Sequence, residues 1–338
     1  MSLETPTFQA IRGQDQAVAL LRGLVAHARV PSALLFAGPA HVGKRTTALA
    51  LAKALNCRTA PGAGCGSCPA CRKIDEGVHP DVEVIAADGQ FIRIQQIRAI
   101  DAKLALIPFE ARKRVIVLAA AERMHLESAN ALLKTLEEPP GDTLLVLCTE
   151  QPARLPDTVR SRCMRVRFAP LDEATVDALL PLEDFPEGPP RQFLRRFAQG
   201  QLRPELAEPA RVLALRDALL DALAQVPGGD YERIMAHHAA WSASDDWRLV
   251  LELLETWLRD VVVLHSAGAA APLIHEDQRE TLTAWCRRLA AAQAHAWHQQ
   301  VLATRDGLLL NVNKALALDA LWLGMRAAAS VDGGGSHP

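Results

Sequence analysis

A nine-residue loop at positions 38–46, Gly-Pro-Ala-His-Val-Gly-Lys-Arg-Thr, separates a short apolar run from a stretch with helical periodicity. A glycine loop between a strand and the start of a helix surrounds phosphates with backbone N–H groups, and the helix dipole favours their negative charge. A lysine in this position, here Lys44, reaches the terminal phosphate oxygens of a nucleotide. The loop therefore predicts an α/β domain of the P-loop type, with nucleotide-binding candidates Gly38, Gly43, Lys44 and Thr46.

The first 170 residues alternate β-type apolar runs with helical stretches, which is the pattern of a parallel sheet with flanking helices. Four runs are predicted to form buried strands, at 33–37, 82–86, 115–119 and 144–149. Three stretches carry apolar residues at helical spacing, at 44–56, 94–106 and 128–138. Pro139-Pro140-Gly141 ends the third of these helices.

Composition changes part-way along the chain, because six of the seven cysteines precede residue 170 and all six tryptophans lie in the last third. Short proline-rich segments with helices at 173–180 and 190–199 predict a small helical domain. The later amphipathic stretches predict a helical bundle, with helices at 212–225, 247–265, 280–298 and 310–326. The expected divisions are a P-loop domain, a small helical domain, a bundle and a disordered tail, at 1–168, 169–208, 209–330 and 331–338.

Two elements that hold magnesium in P-loop enzymes are missing from their expected positions. Arg45 stands where the motif has Ser or Thr, and Thr46 sits one position late, turned by about 100° on a helix. The strand at 115–119 runs into alanines instead of an acidic pair, and Glu122 follows too late to replace that pair. The sequence therefore predicts a P-loop fold without hydrolysis. Two roles remain open for Lys44: it binds ATP without hydrolysis, or it only donates a hydrogen bond to a carbonyl oxygen of the loop.

Four cysteines lie within fifteen residues, interleaved with glycine and proline: Cys57, Cys65, Cys68 and Cys71. Such spacing closes tight loops around a tetrahedral ion, and four thiolates leave no open coordination position for catalysis. In a reducing compartment this crowding favours a metal over disulfides. A set of buried free thiols is the alternative, but glycine-rich loops bury little. The pattern predicts a structural zinc ion in a knuckle at 57–71.

The charge balance excludes both a disordered tail protein and a strongly basic DNA binder, since 37 Lys and Arg face 39 Asp and Glu for a net charge of −2. A nucleic-acid function must therefore rest on a local site. No uninterrupted apolar run approaches the ~20 residues that cross a bilayer, and the first residues lack the pattern of a signal peptide. We expect a cytoplasmic protein without membrane partners.

Several longer strings match one family pattern. They are the phosphate loop with its four-cysteine insertion, His79-Pro80-Asp81, Ile-Gln-Gln-Ile-Arg at 94–98, Asn-Ala-Leu-Leu-Lys-Thr-Leu-Glu-Glu-Pro-Pro at 130–140, and Leu-Pro-Asp-Thr-Val-Arg-Ser-Arg-Cys at 155–163. With them the chain resembles the clamp-loader subunits of bacterial DNA polymerase III, which have the AAA+ fold. The motor subunits of that family, tau/gamma, keep an intact phosphate loop and an Asp-Glu pair. This chain, with Arg45 and Ala119-Ala120, resembles the branch in which both are eroded.

The resemblance implies a P-loop AAA+ domain with a zinc knuckle, a helical lid domain and an all-α collar that holds subunits together. Arg162 matches the family's arginine finger, which points across an interface at a neighbour's ATP; such a guanidinium is typically worth ~10³–10⁵ in rate. Thr149 matches the position at which relatives sense nucleotide, and Arg203 is a candidate second sensor. The alternative to an arginine finger is that Arg162 is an ordinary surface arginine exposed to solvent.

The resemblance also implies partners and a setting. The partners are tau/gamma and delta subunits in a hetero-pentamer, a sliding clamp, and primed DNA contacted through its phosphates, with candidate contacts Arg93, Arg98 and Lys103. The setting is chromosome replication within the DNA polymerase holoenzyme, a nucleotidyltransferase, in which this chain has no ATPase of its own. Two alternatives remain open: an active ATPase in which Thr46 and Glu122 rescue magnesium chemistry, and a zinc-dependent nucleic-acid-binding module.

Overall fold

The computed structural model describes residues 7–104, 106–182, 185, 187–225, 231–309 and 312–331. The chain divides into two compact units, Met1–Thr175 and Val176–Pro338. Across the described ranges, none of the helices combines the length and the apolar character needed to span a membrane.

Unit 1 is built on a five-stranded parallel sheet. Its strands are β1 Ala33–Ala37, β2 Val82–Ile85, β3 Arg114–Leu118, β4 Thr143–Thr149 and β5 Met164–Arg167, in the order β2-β3-β4-β1-β5. Every residue of β1, β3 and β4 is buried, because these strands are apolar on both sides and are covered on both faces.

The helices of unit 1 are α1 Asp15–Ala26, α2 Lys44–Asn56, α3 Pro69–Asp75, α4 Ile94–Leu104, α5 Leu126–Glu137 and α6 Asp157–Arg160. Single 3₁₀ turns lie at Phe8–Ala10, Ala121–Arg123 and Pro152–Arg154. One face of the sheet packs with residues of α1 and α2 around Phe36 and Val146. The other face packs with α4 and α5 around Ile116 and Leu145. This three-layer arrangement confirms the predicted P-loop AAA+ class.

The outer strand β5 was not predicted from the sequence. It is four residues long, and only Val166 is buried, while Arg165 and Arg167 are exposed. A short edge strand that alternates arginine with apolar residues lacks the continuous apolar run that marks the central strands. β5 pairs with β1 and forms that edge of the sheet.

From α7 onward the described chain contains helices only. These are α7 Glu173–Leu179, α8 Pro189–Ala198, α9 Pro209–Ala224, α10 Tyr231–Ala243, α11 Trp247–Ala267, α12 Arg279–Arg288, α13 Ala291–Leu309 and α14 Lys314–Val331, with 3₁₀ turns at Pro204–Ala207, Gly268–Ala270 and Glu276–Gln278. All six tryptophans are buried, Trp257 completely. They therefore form the core of unit 2 instead of an exposed interface.

One predicted helix, 280–298, was wrong. The structure has two helices there, because Leu289 adopts an extended backbone, with φ of −114° and ψ of 117°, and its carbonyl oxygen lies 2.8 Å from His265 Nε2. Unit 2 also joins segments that were expected on either side of residue 208, since Arg196 of α8 donates to the carbonyl oxygen of Leu273 at 2.7 Å. The predicted tail, 331–338, lies outside the described residues beyond Val331, the last residue of α14.

Candidate functional site

The loop between β1 and α2 has the backbone geometry of an anion cradle. The Gly38 N–H donates to the carbonyl oxygen of Thr149 at 3.2 Å, which ties the loop to the end of β4. A Cβ at Gly38 would lie 2.3 Å from the carbonyl oxygen of Phe168, so only glycine fits there. Gly43 has a φ of 92°, in the left-handed region that favours glycine, directly before α2 begins at Lys44. The local sequence thus dictates the turn from strand to helix.

The Lys44 ammonium is turned onto its own loop. It donates to the carbonyl oxygen of Gly38 at 2.8 Å and to that of Pro39. The side chain is buried, and this burial lowers the pKa of Lys44, although the charges of Glu150, Cys148 and Glu122 act in the opposite direction. The ammonium therefore has acceptors without a phosphate, as one of the sequence interpretations proposed.

Arg45, Thr46 and Thr47 follow Lys44 at the start of α2. Arg45 is exposed. Thr46 lines a groove of about 790 Å³ together with residues of α3, β2 and the segment between them, including His79. The Thr47 hydroxyl donates to the carbonyl oxygen of Gly43 at 2.9 Å. This geometry gives Thr46 no support as a magnesium ligand.

The acidic side of the nucleotide site is similarly incomplete. β3 ends at Leu118, and the half-buried Ala119 and Ala120 follow. Glu122 lies in the next 3₁₀ turn, and its Oε2 is buried with no hydrogen-bond partner within the described part of the chain. Thr149, at the end of β4, is buried and its Oγ1 accepts the Gln151 N–H at 3.1 Å. Two acidic residues, Glu150 after β4 and Glu122, lie near enough to act on the Lys44 charge, but no acidic pair follows β3.

Arg162 lies just after α6, with its side chain 36% exposed. Its Nη1 donates to the carbonyl oxygen of Thr158 at 2.9 Å, and its Nη2 forms an ion pair with Glu137 Oε1 at 2.6 Å. Glu137 lies inside the 130–140 string, and nothing in the order of residues predicts that it lies beside Arg162. The guanidinium is therefore anchored on two elements and accessible from outside the chain.

The four cysteines of the predicted zinc knuckle converge. All four sulfur atoms lie within 4.8 Å of one another, and Cys57 Sγ lies 3.8 Å from Cys68 Sγ. Four sulfurs at ~2.3 Å from one ion would be about 3.8 Å apart, so the spacing fits a tetrahedral thiolate site. Backbone N–H groups of Ala60 and Cys65 point at Cys57 Sγ, at 3.2 and 3.3 Å. Such contacts stabilise thiolates, so these residues are positioned to bind a metal ion.

The other predicted contact residues either pair with neighbouring acidic side chains or are exposed to solvent. Arg203 pairs with Glu252 and lies 4.6 Å over the ring of Phe197, so its observed contacts are structural ones within unit 2. Arg93 lies 3.5 Å from Asp88, and Lys103 lies 2.5 Å from Glu83. Arg98, on the exposed side of α4, forms no ion pair with another residue of the described ranges.

The parallel sheet, the glycine loop and the cysteine cluster define a class, the P-loop AAA+ proteins, with four cysteines positioned to bind a metal ion. Models of two families match the chain: "DNA polymerase III, delta subunit" over residues 13–172, and the C-terminal part of the delta subunit over 211–325. The delta' subunit of Pseudomonas aeruginosa is 31% identical over 314 residues, which are 89% of this chain and 92% of that protein. The chain belongs to the family of DNA polymerase III delta' subunits.

Other relatives agree over shorter stretches. The delta' subunit of Bacillus subtilis is 37% identical over 171 residues, 51% of this chain and 52% of that protein. The tau subunit of Escherichia coli is 34% identical over 218 residues, 62% of this chain and 34% of that protein. The family models and the sequence matches to the delta' subunits confirm the family resemblance drawn from the motifs.

A solved gamma subunit-related protein of Thermotoga maritima covers 91% of this chain and 99% of its own, at 18% identity and a TM-score of 0.44.

Proposed function

We propose that this chain is a non-hydrolysing subunit of a clamp loader and supplies Arg162 to the ATP of a neighbouring subunit. The observation that carries the proposal is the contrast between its two nucleotide-related sites. Its own loop has Lys44 turned onto loop carbonyls and lacks magnesium-holding groups, whereas Arg162 faces outward. A chain with this combination contributes to hydrolysis in another subunit.

The chemistry of Arg162 suits that role. A guanidinium is planar, stays charged and matches the geometry of phosphate oxygens. When charge develops on a phosphoryl group in transfer, a guanidinium supplied by a neighbour stabilises that charge. On this proposal the partners are tau/gamma and delta subunits, and the complex opens a sliding clamp and places it on primed DNA. Arg98 contacts DNA phosphates, and this contact carries no sequence preference.

The test is the clamp- and DNA-stimulated ATPase rate of the reconstituted complex with Arg162→Ala. We expect a fall of about 10³-fold at the site that receives this arginine, with assembly intact, because a finger supplied by a neighbour is worth that much. Arg160→Ala is the matched control, since Arg160 is also exposed and its observed partner is Asp157 of its own helix. An unchanged rate for Arg162→Ala would contradict the proposal and reduce this chain to a scaffold.

We also propose that the four cysteines hold a structural zinc ion. The donor set of four thiols with a tetrahedral spacing supports this identity, since zinc is the usual ion of such closed sites. When bound, the ion crosslinks the loops of the knuckle and has no open position for chemistry.

A further inference from the structure

The ion pair between Arg162 and Glu137 joins two elements that are distant in sequence. Glu137 is the last residue of α5, and Arg162 follows α6. The Nη2–Oε1 separation is 2.6 Å, and the second anchor, the Thr158 carbonyl, belongs to α6. The guanidinium is thus held between the C-terminal end of α5 and the carbonyl oxygen of Thr158 in the short helix α6.

The position of Glu137 is fixed by its own surroundings. α5 ends there, Glu138 leaves the helical conformation with φ of −125° and ψ of 69°, and Pro139 and Pro140 follow. The buried residues Thr135 and Leu136 of the same turn fix this end of the helix to the core. The carboxylate therefore projects from a rigid base, although the side chain is itself 51% exposed.

An exposed arginine without anchors samples many rotamers, and fixing it costs conformational entropy when it must meet a phosphate. Two acceptors on separate elements define both the direction and the plane of the guanidinium before a partner arrives. About a third of the side chain stays accessible, so the anchors do not block an approaching anion.

We propose that Glu137 is a positioning residue that presents Arg162 to the γ-phosphate of the neighbouring subunit's ATP. The inference rests on the proposed function, because it needs Arg162 to act at that ATP. Glu137, the first glutamate of the 130–140 string, then has a role in the reaction of another subunit, although it touches no nucleotide itself.

The experiment measures kcat and KM for ATP in the stimulated, reconstituted complex with Glu137→Ala, Arg162→Ala and the double variant. We expect Glu137→Ala to lower kcat by about two- to fivefold with KM unchanged, since exposed ion pairs stabilise by amounts of this order. In the Arg162→Ala background, Glu137→Ala should have no further effect, because it acts only through that arginine. Glu138→Ala is the control, since Glu138 is exposed and forms no ion pair with another described residue.

Each other outcome identifies what failed. A fall with Arg162→Ala but wild-type kcat for Glu137→Ala overturns this inference and leaves the proposed function standing. An equal fall for Glu137→Ala in both backgrounds shows a general structural role and also overturns it. A rise in kcat for Glu137→Ala means that the carboxylate restrains the arginine instead of presenting it. No fall with Arg162→Ala overturns the proposed function itself.

Discussion

At the scale of single residues, Asp81 shows how one buried carboxylate organises a loop. It accepts backbone N–H groups from Phe109, Glu110 and Ala111 at 2.8–3.0 Å and pairs with the Arg114 guanidinium at 3.0 Å. Burial alone would raise the pKa of Asp81, but these hydrogen bonds outweigh it and lower the pKa to about 2. The carboxylate therefore ties β2, β3 and the loop before β3 together.

Asp81→Asn should destabilise the protein by about 3–5 kcal/mol, because it leaves the buried Arg114 without its charged partner. The free energy of unfolding from chemical denaturation measures this. Asp142→Asn is the control, since Asp142 is exposed and such surface changes stay within about 0.5 kcal/mol. In the wild type the contribution of Asp81 is complete above its unfolded pKa of about 3.8 and is lost as the pH falls towards 2. A loss below 1 kcal/mol for Asp81→Asn would contradict this account.

Residue-level predictions from the sequence succeeded where spacing carries the information. The four cysteines are close in the chain, and their convergence followed from that closeness. The charged partners of Asp81 and Arg162, which are Arg114 and Glu137, lie at least 25 residues away in the chain, so these ion pairs depend on the folded sheet and its helices. No local sequence pattern predicts contacts between residues so far apart in the chain.

At the scale of elements, α2 links the nucleotide loop to the metal knuckle. It begins at Lys44 and ends at Asn56, next to Cys57. The Asn56 side chain accepts the N–H groups of Arg112 and Lys113, both at 3.0 Å, and so fixes the end of the helix to the segment before β3. Lys53 of α2 and Asp75 of α3 form a buried ion pair at 2.5 Å. The knuckle is therefore attached to the domain by contacts that do not involve its sulfur atoms.

Removing the metal should loosen the knuckle and leave the sheet folded. We expect one zinc ion per purified chain by elemental analysis. After chelation, or in Cys68→Ser, amide hydrogen exchange should increase across 57–75 while β1, β3 and β4 stay protected, because structural metal sites contribute directly to local folding. Cys286→Ser, far from the cluster in sequence, is the control. Loss of protection throughout the sheet would contradict this prediction, as would protein purified without metal but with a protected knuckle.

The corner between α11 and α12 contains a second pH-sensitive group. His275 is fully buried, its Nε2 lies 3.0 Å from Thr256 Oγ1, and its Nδ1 has no partner in the described ranges. Burial, and then the charge of Arg216, lower the pKa of His275 to about 3. The unfolded chain takes up a proton near pH 6.5, so stability is complete above that pH and falls as the pH drops towards 3.

When the pH falls from 7.5 to 5, protonation of His275 in the unfolded chain should lower the free energy of unfolding by about 2 kcal/mol. Each pH unit below 6.5 contributes about 1.4 kcal/mol of this loss. Urea unfolding of wild type and His275→Gln at both pH values gives the measurement. The variant is less stable at pH 7.5 but should lose less on acidification. Equal losses in wild type and His275→Gln would rule out this histidine as the source.

The buried central strands were predicted closely, whereas helices α1, α3 and α10 were not predicted. β1 and α2 agree with the sequence prediction at both ends, and β3 and β4 differ by one residue, because continuous apolar runs mark buried strands. The edge strand β5 and the break at Leu289 were missed. In both places tertiary contacts decide the backbone, and no glycine or proline signals the change.

At the scale of the whole molecule, the order of an α/β region followed by helices was predicted, and the two family models match these regions in turn. The divisions at 168 and 208 remain predictions, since compact unit 2 begins at Val176. Composition alone could not place the division at 208, because the chain is helical on both sides of that residue and both sides belong to unit 2.

The isolated chain should show no Mg²⁺-dependent ATP hydrolysis above a no-protein blank. Arg45 and the two alanines after β3 occupy the positions where the hydroxyl and the acidic pair would hold the ion. A phosphate-release assay with ATP and Mg²⁺ measures this, with the same assay on a tau subunit as the positive control. Hydrolysis that disappears in Lys44→Ala would instead support the alternative of an active motor subunit.

The exposed arginines of β5 have a consequence for the chain before and during folding. An open strand edge offers unpaired backbone groups to any other strand, which is a route to aggregation. Arg165 and Arg167 place like charges along that edge, so a second copy approaching in register meets electrostatic repulsion. These two side chains therefore act as gatekeepers against self-association, in a segment whose neighbours in the sheet are apolar enough to aggregate.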